Sequence, residues 1–340
     1  MIQNQSSNRL SDLKKYAKNS LSFLTLSDSL QTFHASCGGY IAYKTFFKSA
    51  TILGDPIVSQ HCMQQALEEF TQEMKSKKYH MNFFLCTDES IQSLRKKGFT
   101  CLYVGMEGVV ELNNFTIAGR KNWKIRSSVN YAKKQDMVVK EYTYKNQRSP
   151  DIEKQILSIA NEWEQLKKTP ELSFAFGSVD FTTPDAARYF YCEYQGKIVA
   201  FISYYPIYGS NSYYLDLTRR AIDSPRGAID YCIVESFEML KNEDVKKIYI
   251  GFSPFSFLSK GSLFNSRFYS NLFTIGKPFF EFGYPAKSEF FFKKKFSTTW
   301  EPNYVVFYPR ISIRNILSLI HAMYDGGIAS FLIKKIKYKL

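Results

Sequence analysis

Twice along this chain the spacing of apolar residues changes from two to 3.6 and back in the same order. That succession limits the fold more than any other feature. Residues 38–54 (GGYIAYKTFFKSATILG) alternate like two strands around a turn, and 58–78 (VSQHCMQQALEEFTQEMKSKK) carry the period of a helix. An apolar strand at 81–86 (MNFFLC), a helix through SIQSLRKK ended by Gly98, and a long strand at 100–112 follow. The second half shows a helix at 150–167, strands at 187–194 and 197–205 around Gln195-Gly196, a strand at 212–219, a helix at 226–241 and a strand at 246–252. The two halves share no visible sequence repeat, only this order. With 340 residues there is room for two cores. The expected fold class is therefore α/β with mixed α+β sheets, in similar halves at 1–117 and 137–310.

Between the halves lies 118–136 (AGRKNWKIRSSVNYAKKQD), where Arg120, Lys121, Lys124, Arg126, Lys133 and Lys134 precede the only acid, Asp136. It reads as a basic helix bridging the halves. The whole chain carries 45 Lys and Arg against 31 acids, a net +14, which favours an anionic partner: nucleic acid, a phosphorylated ligand or an acidic membrane. The segment 311–340 places Ile313, Ile316, Leu317, Ile320, Met323 and Tyr324 on one helical face, then breaks at Gly326-Gly327. Its end, IASFLIKKIKYKL, carries Lys334, Lys335, Lys337 and Lys339, a basic amphipathic pattern suited to the surface of an anionic bilayer. A polar N-terminus without an apolar core excludes a signal peptide, and no apolar run approaches the roughly 18 residues of a span. Any membrane contact is thus expected from the side.

Other chemistry is excluded by residue type. His34, His61, His80 and His321 do not cluster, and there is no H-E-x-x-H, C-x-x-C, P-loop or G-x-S-x-G, so no metal site is expected. The six cysteines are scattered in apolar surroundings and read as reduced core residues of a cytosolic protein. At 45% apolar residues, wholesale disorder is excluded as well.

Three stretches carry candidate chemistry. FAFGSVDF at 174–181 is followed by YYLDLTRRAIDSPRGAIDYCIVE at 213–235, in which Asp216 and Arg219 share a strand end, Arg220 follows, and Pro225-Arg226-Gly227 opens a helix. Free N–H groups and the macrodipole at such a helix start attract anions. Spacing alone serves a structural ion pair at a sheet edge equally well. In YPAKSEFFFKKKFSTTWEPNY at 284–304, Lys293, Lys294 and Lys295 sit among aromatics and are followed by Trp300 and Tyr304. Such cations suit a phosphate grip or base stacking, or simply a lysine-studded surface.

Taken in order, ILGDP at 52–56, GRKNWKIRSSVNYAKK at 119–134, ELSFAFGSVDF at 171–181, GKIVAF at 196–201, LDLTRR at 215–220, DSPRGAID at 223–230, GFSPF at 251–255 and FKKKF at 292–296 resemble the C-terminal catalytic domain of bacterial phosphatidylglycerol lysyltransferases. The resemblance implies a tandem duplicated GNAT-type acyltransferase fold, with the active site on the second half. It also implies transfer of an aminoacyl group from aminoacyl-tRNA to phosphatidylglycerol or a related lipid at the inner membrane face, with no cofactor. Matched to the family motifs, Asp216 and Arg219 become the catalytic pair. Phe176, Gly177, Asp180, Arg220, Arg226, Asp230, Lys293 and Lys295 become substrate-binding residues, and the six cations of 118–136 a tRNA footprint. An unperturbed Asp, with a pKa near 3.9, is a poor base at neutral pH. Asp216 is therefore expected to hold the ammonium of the aminoacyl group, while Arg219 and the lysines neutralise phosphate or oxyanion charge. Thr218 and the Ser253-Pro254-Phe255 segment depart from the family pattern and imply a pocket of different size and polarity. An acyl-CoA N-acyltransferase lacks its loop here, since Ser224 and Ile229 fail the pattern around Gly227. A Fem-like peptidyltransferase and a non-catalytic RNA- or membrane-binding relative remain as alternatives.

Overall fold

The computed structural model describes residues 2–166, 174–183, 187–254, 256–257, 286–324 and 326–337. Of the stretches read above, Lys167, Glu171, Leu172, Ser173, Phe255, Tyr284, Pro285, Asp325, Tyr338, Lys339, Leu340 and the side chains of Ala286, Lys287, Lys334, Lys335 and Lys337 lie outside what is described. After helix α1 (Ile2–Tyr16), the first unit runs β1 (Gln31–His34), β2 (Tyr40–Phe46), β3 (Ser49–Leu53), α2 (Met63–Ser76), β4 (His80–Cys86), α3 (Asp88–Lys96) and β5 (Thr100–Glu111). Helix α4 (Trp123–Lys134), β6 (Val138–Tyr142) and α5 (Pro150–Leu166) connect it to the second. That unit repeats the order as β7 (Arg188–Tyr194), β8 (Lys197–Ile207), β9 (Ser212–Arg220), α6 (Ala228–Asn242), β10 (Lys247–Pro254), α7 (Ala286–Phe296) and β11 (Thr299–Tyr308). Helices α8 (Ile313–Met323) and α9 (Gly327–Lys337) follow.

The eleven strands of the described residues join one mixed sheet, in the order β1-β2-β3-β4-β11-β5-β10-β9-β8-β7-β6. Each unit contributes an antiparallel hairpin and then a parallel pair, β3 with β4 and β9 with β10. The last strands are exchanged. β11 of the second unit lies against β4 of the first, β5 of the first lies against β10 of the second, and β5 and β11 pair antiparallel at the centre. One sheet face is covered by a core that α1, α5, α8 and α9 share across both units. The other face carries two separate cores, one under α2 and α3 and one under α4, α6 and α7.

The basic segment forms α4, whose Ile125, Val129 and Ala132 pack in the second unit's core. Helix α8 buries Ile320 and Met323 of the face its apolar spacing selects, with Tyr324 just beyond, and adds polar residues to it. Ile313 is exposed, whereas Asn315 and Ser318 are fully buried. The sheet surface beneath is polar: Asn315 Nδ2 donates to Asn82 Oδ1 and to the Met81 carbonyl (3.3 Å), and Ser318 shares a hydrogen bond with Thr51 (3.0 Å). Satisfying those buried groups outweighs hiding one isoleucine.

In the first unit, ILGDP ends in a buried hub. Asp55 accepts from Asn19 Nδ2 (2.8 Å), the Thr87 hydroxyl (2.8 Å), the Thr87 N–H (3.2 Å) and the Ser90 hydroxyl, tying the chain after α1 to the start of α3. Replacing Asp55 with Ala leaves these donors without an acceptor in the interior. The expected cost is about 2–4 kcal/mol, read from urea unfolding.

Candidate active site

The parallel pair at the heart of each unit is closed in the first and open in the second. β3 and β4 stay paired from Ser49 and His80 to Leu53 and Phe84, and the Gly54 N–H continues to the Phe84 carbonyl (2.8 Å). Asn19 then fills the space beyond by bonding Asp55 and the Leu85 carbonyl. By contrast, β9 and β10 are in register only at Ser212, Tyr213 and Tyr214 against Lys247, Ile248 and Tyr249. Past that point they diverge, and the carboxyl ends of two parallel strands frame an opening, the usual place for a ligand in an open α/β sheet.

Two bulges shape its walls. On β9, Ser203 of β8 stands opposite both Asp216 and Leu217, and its hydroxyl accepts the Leu217 N–H (3.2 Å). Residues three apart on an unbroken strand face opposite ways. The extra residue brings Asp216 and Arg219 onto the same side of the sheet, the side of α5. On β10, Ile250 and Gly251 together stand opposite the single Gly108 of β5, with Gly251 at φ 93°, where a side chain is strained.

Asp216 is 5% exposed, and its Oδ1 accepts the Gly177 N–H (2.9 Å). The loop that presents Gly177 is anchored by buried Phe174 and Phe181, with Phe181 packed on Tyr142, Tyr144 and Tyr189. Half-buried Phe176 is beside Gly177. Further along, Asp180 accepts from the Thr182 hydroxyl and N–H (2.6 and 2.7 Å). Burial pushes the Asp180 carboxyl up, but hydrogen bonds from Thr182 and Thr183 outweigh it and hold it below its usual range. Arg219, 7% exposed, lays its guanidinium 3.4 Å from the ring centre of Trp163 on α5 and donates to the Thr218 carbonyl (3.1 Å). That stack fixes the plane of the cation.

Opposite, Lys293 comes from α7 on the far side of the sheet. Its Nζ donates to the Phe252 carbonyl (2.5 Å). It also lies 3.5 Å from the point where a Cβ on Gly251 would be, a point 3.8 Å from the Tyr214 hydroxyl. That hydroxyl donates to the Ala175 carbonyl (3.3 Å), so Tyr214 connects the Lys293 side to the Gly177 loop. Burial brings the Lys293 amine down to about 8, against the pull of Glu289 and Glu107.

The fold thus brings Asp216, Arg219, Gly177 and Lys293 to the diverging ends of β9 and β10, with Phe176 next to Gly177 in the chain, and leaves other candidates elsewhere. Lys295 turns to Asp230 of α6, and Arg220, the last residue of β9, and Arg226, just before α6, are exposed. On the α4 segment, Arg120, Lys121, Lys124 and Lys134 are exposed. Arg126 is tied to the Ile117 and Gly119 carbonyls (2.8 and 2.9 Å), and Lys133 to Glu235 (2.9 Å). Trp163, Ser203 and Tyr214 were not legible as site residues. Their roles come from a bulge and a long-range stack that no local pattern announces. Among the described residues no group of His, Cys, Asp and Glu is arranged to hold a metal ion, and no single helix is long and apolar enough to cross a membrane.

Residues 10–307 match the family model described as phosphatidylglycerol lysyltransferase, C-terminal. The chain belongs to this family. A phosphatidylglycerol lysyltransferase of Bacillus subtilis is 25% identical over 316 residues, which cover 91% of this chain and 36% of that protein. This lysyltransferase C-terminal family member therefore spans little more than a third of the length of that relative. The structure of L-PGS from Bacillus licheniformis superposes with a TM-score of 0.77 at 20% identity, over 98% of this chain and 97% of that one. The DUF2156 domain from Agrobacterium fabrum gives 0.78 at 20% identity, over 97% and 100%. At these identities the structures establish the fold of the family member: tandem, mixed α/β, with a continuous sheet.

Gly177 is held to glycine by a close approach. An added Cβ would lie 2.1 Å from the Tyr205 hydroxyl, and Tyr205 is buried and stacked on Phe23 (4.6 Å). Gly177→Ala must push the loop off Asp216, and an expected loss of about 1–3 kcal/mol in thermal unfolding checks this.

Proposed function

We propose that this chain is an aminoacyltransferase that moves an aminoacyl group from aminoacyl-tRNA to the glycerol hydroxyl of phosphatidylglycerol, in the opening between β9 and β10. The observation that carries the proposal is the family match over residues 10–307, which spans both units and the exchanged strands. We take 1–117 and 137–310 as the two functional halves, with the chemistry in the second, 118–136 as the link and 311–340 as a C-terminal segment.

The reaction exchanges one ester for another. The lipid hydroxyl oxygen attacks the ester carbonyl carbon and gives up its proton, a tetrahedral oxyanion forms, and its collapse expels the ribose hydroxyl, which takes a proton. Positioning and charge do most of this work. Asp216, acceptor of the Gly177 N–H, is a carboxylate in a largely dry setting and suits the ammonium of the aminoacyl group. Arg219 on Trp163 and Lys293 on the Phe252 carbonyl supply fixed cations for the oxyanion and the lipid phosphate.

Incubating the chain with charged tRNA and phosphatidylglycerol vesicles, with mass spectrometry of the lipids, tests this reading. The wild type is expected to form an aminoacyl lipid, and Asp216→Asn to lower the rate by roughly 100-fold with folding retained, since one partner of a buried charge contact is removed. Product found only on an amine acceptor, or wild-type transfer in Asp216→Asn, overturns it.

For the tRNA we assign the exposed side of the α4 segment, where Arg120, Lys121, Lys124 and Lys134 surround Trp123 and Tyr131, 53% and 42% exposed. Cations interleaved with aromatic faces fit a phosphate backbone with unstacked bases. Changing Arg120, Lys121 and Lys124 together to Glu is expected to weaken tRNA binding by roughly 10-fold or more at low salt, as measured by filter binding. For the membrane we assign α9, which is anchored by the Tyr324 and Phe331 rings (4.9 Å) and exposes Leu332, Ile333 and Ile336.

A further inference from the structure

The centre of the sheet holds a buried acid that the transfer scheme above does not use. Glu107, on the exchanged strand β5, is 3% exposed, and its Oε2 accepts the Ser20 hydroxyl (2.9 Å). In register it lies between Glu301 of β11 and Phe252 of β10. Two acids directly across an antiparallel pair repel each other unless each is answered. Glu301 is answered by Lys247 (2.9 Å) and the Tyr249 hydroxyl (3.1 Å). For Glu107 the nearby cation is Lys293, bonded to the carbonyl of the Phe252 that stands opposite Glu107 in register.

We propose that Glu107 is a positioning residue of the transfer site: through the exchanged strand, the first unit lends the second an acid that, together with Glu289 of α7, favours the ammonium form of Lys293 at the opening. The inference rests on the transfer reading for its consequence, but not for the pairing itself. Lys293 is faced by Glu289 one turn earlier on α7, Glu107 on β5 and the Tyr214 hydroxyl on β9. Beyond Glu107 lie Glu301 on β11 and Tyr249 on β10. Glu107 is pushed up to about 7, by burial first, with Ser20, Lys293 and Asn303 pulling back. Acid and amine therefore titrate near neutrality, where small changes in either alter the charge of the other.

The sign follows from the amine. Lys293 in its charged form neutralises the oxyanion or phosphate, so transfer is lost as pH rises through its titration. Removing the negative charge of Glu107 leaves the burial of Lys293 less opposed, and its titration falls. In Glu107→Gln, which retains an acceptor for Ser20, the Lys293 titration is expected to move about one pH unit lower. It would be followed by NMR of isotope-labelled lysine side-chain methylenes and assigned with Lys293→Arg. The alkaline limb of the rate profile should move with it. A Lys293 titration that stays in place in folded Glu107→Gln overturns the proposal, as does an alkaline limb that stays while the titration moves. A shifted titration in a chain whose wild type makes no aminoacyl lipid sustains the pairing and rejects the transfer reading. If Glu107→Gln does not fold, Glu107→Asp replaces it, and a smaller shift in the same direction is expected.

Discussion

The antiparallel pairing of β5 with β11 is the interaction on which the rest of the architecture rests. Each unit ends in a strand it does not keep, and each sheet half is completed by the other's last strand. Neither half can complete its own hydrogen-bond ladder at the centre, so β4, β5, β10 and β11 are paired on both sides only when both halves are present. The shared core under α1, α5, α8 and α9 has the same effect on one face. The two units are thus bound to a common fate by backbone hydrogen bonds as well as by apolar burial, and residues from the first unit can lie within reach of the second unit's site.

Duplication also explains how one scaffold supports two different roles. The same parallel pair is zipped shut in the first unit, where Asn19, Asp55, Thr87 and Ser90 satisfy one another. In the second it parts after three register positions. A closed pair with a fully bonded carboxylate stabilises. An open pair leaves room for a ligand and lets a lysine from the opposite layer reach the gap. The difference lies in what occupies the mouth of the pair, and the order of elements around it is unchanged.

Charge within the opening is governed by burial. Lys293 and Glu107 both lie in the interior, and desolvation moves each towards its neutral form. The Arg219 guanidinium is also buried but remains charged, and Trp163 accepts its face. The surface cations of the α4 segment are different: solvated, screened and suited to a long polyanion. A single net charge of +14 therefore sums two kinds of cation, buried and solvent-exposed, in different dielectric settings.

The order of strands and helices was legible in the sequence because apolar spacing is local, and the hairpin at Gln195-Gly196 and the helices at 150–166 and 228–242 lie where that spacing places them. The ordered motifs were legible as well, and with them the family. Three strands escaped: β1 and β6 are short edge strands, and β11 follows a lysine-rich stretch with no clear alternation. Strand exchange, the β9 bulge that turns Asp216 and Arg219 the same way, and the buried polar face of α8 were decided only by the tertiary structure. Each depends on partners far away in the chain: β11 against β4 and β5, Ser203 against Leu217, Asn82 against Asn315. Local periodicity says which residues seek an interior, but where buried polar groups find their partners depends on chain segments that meet only after folding.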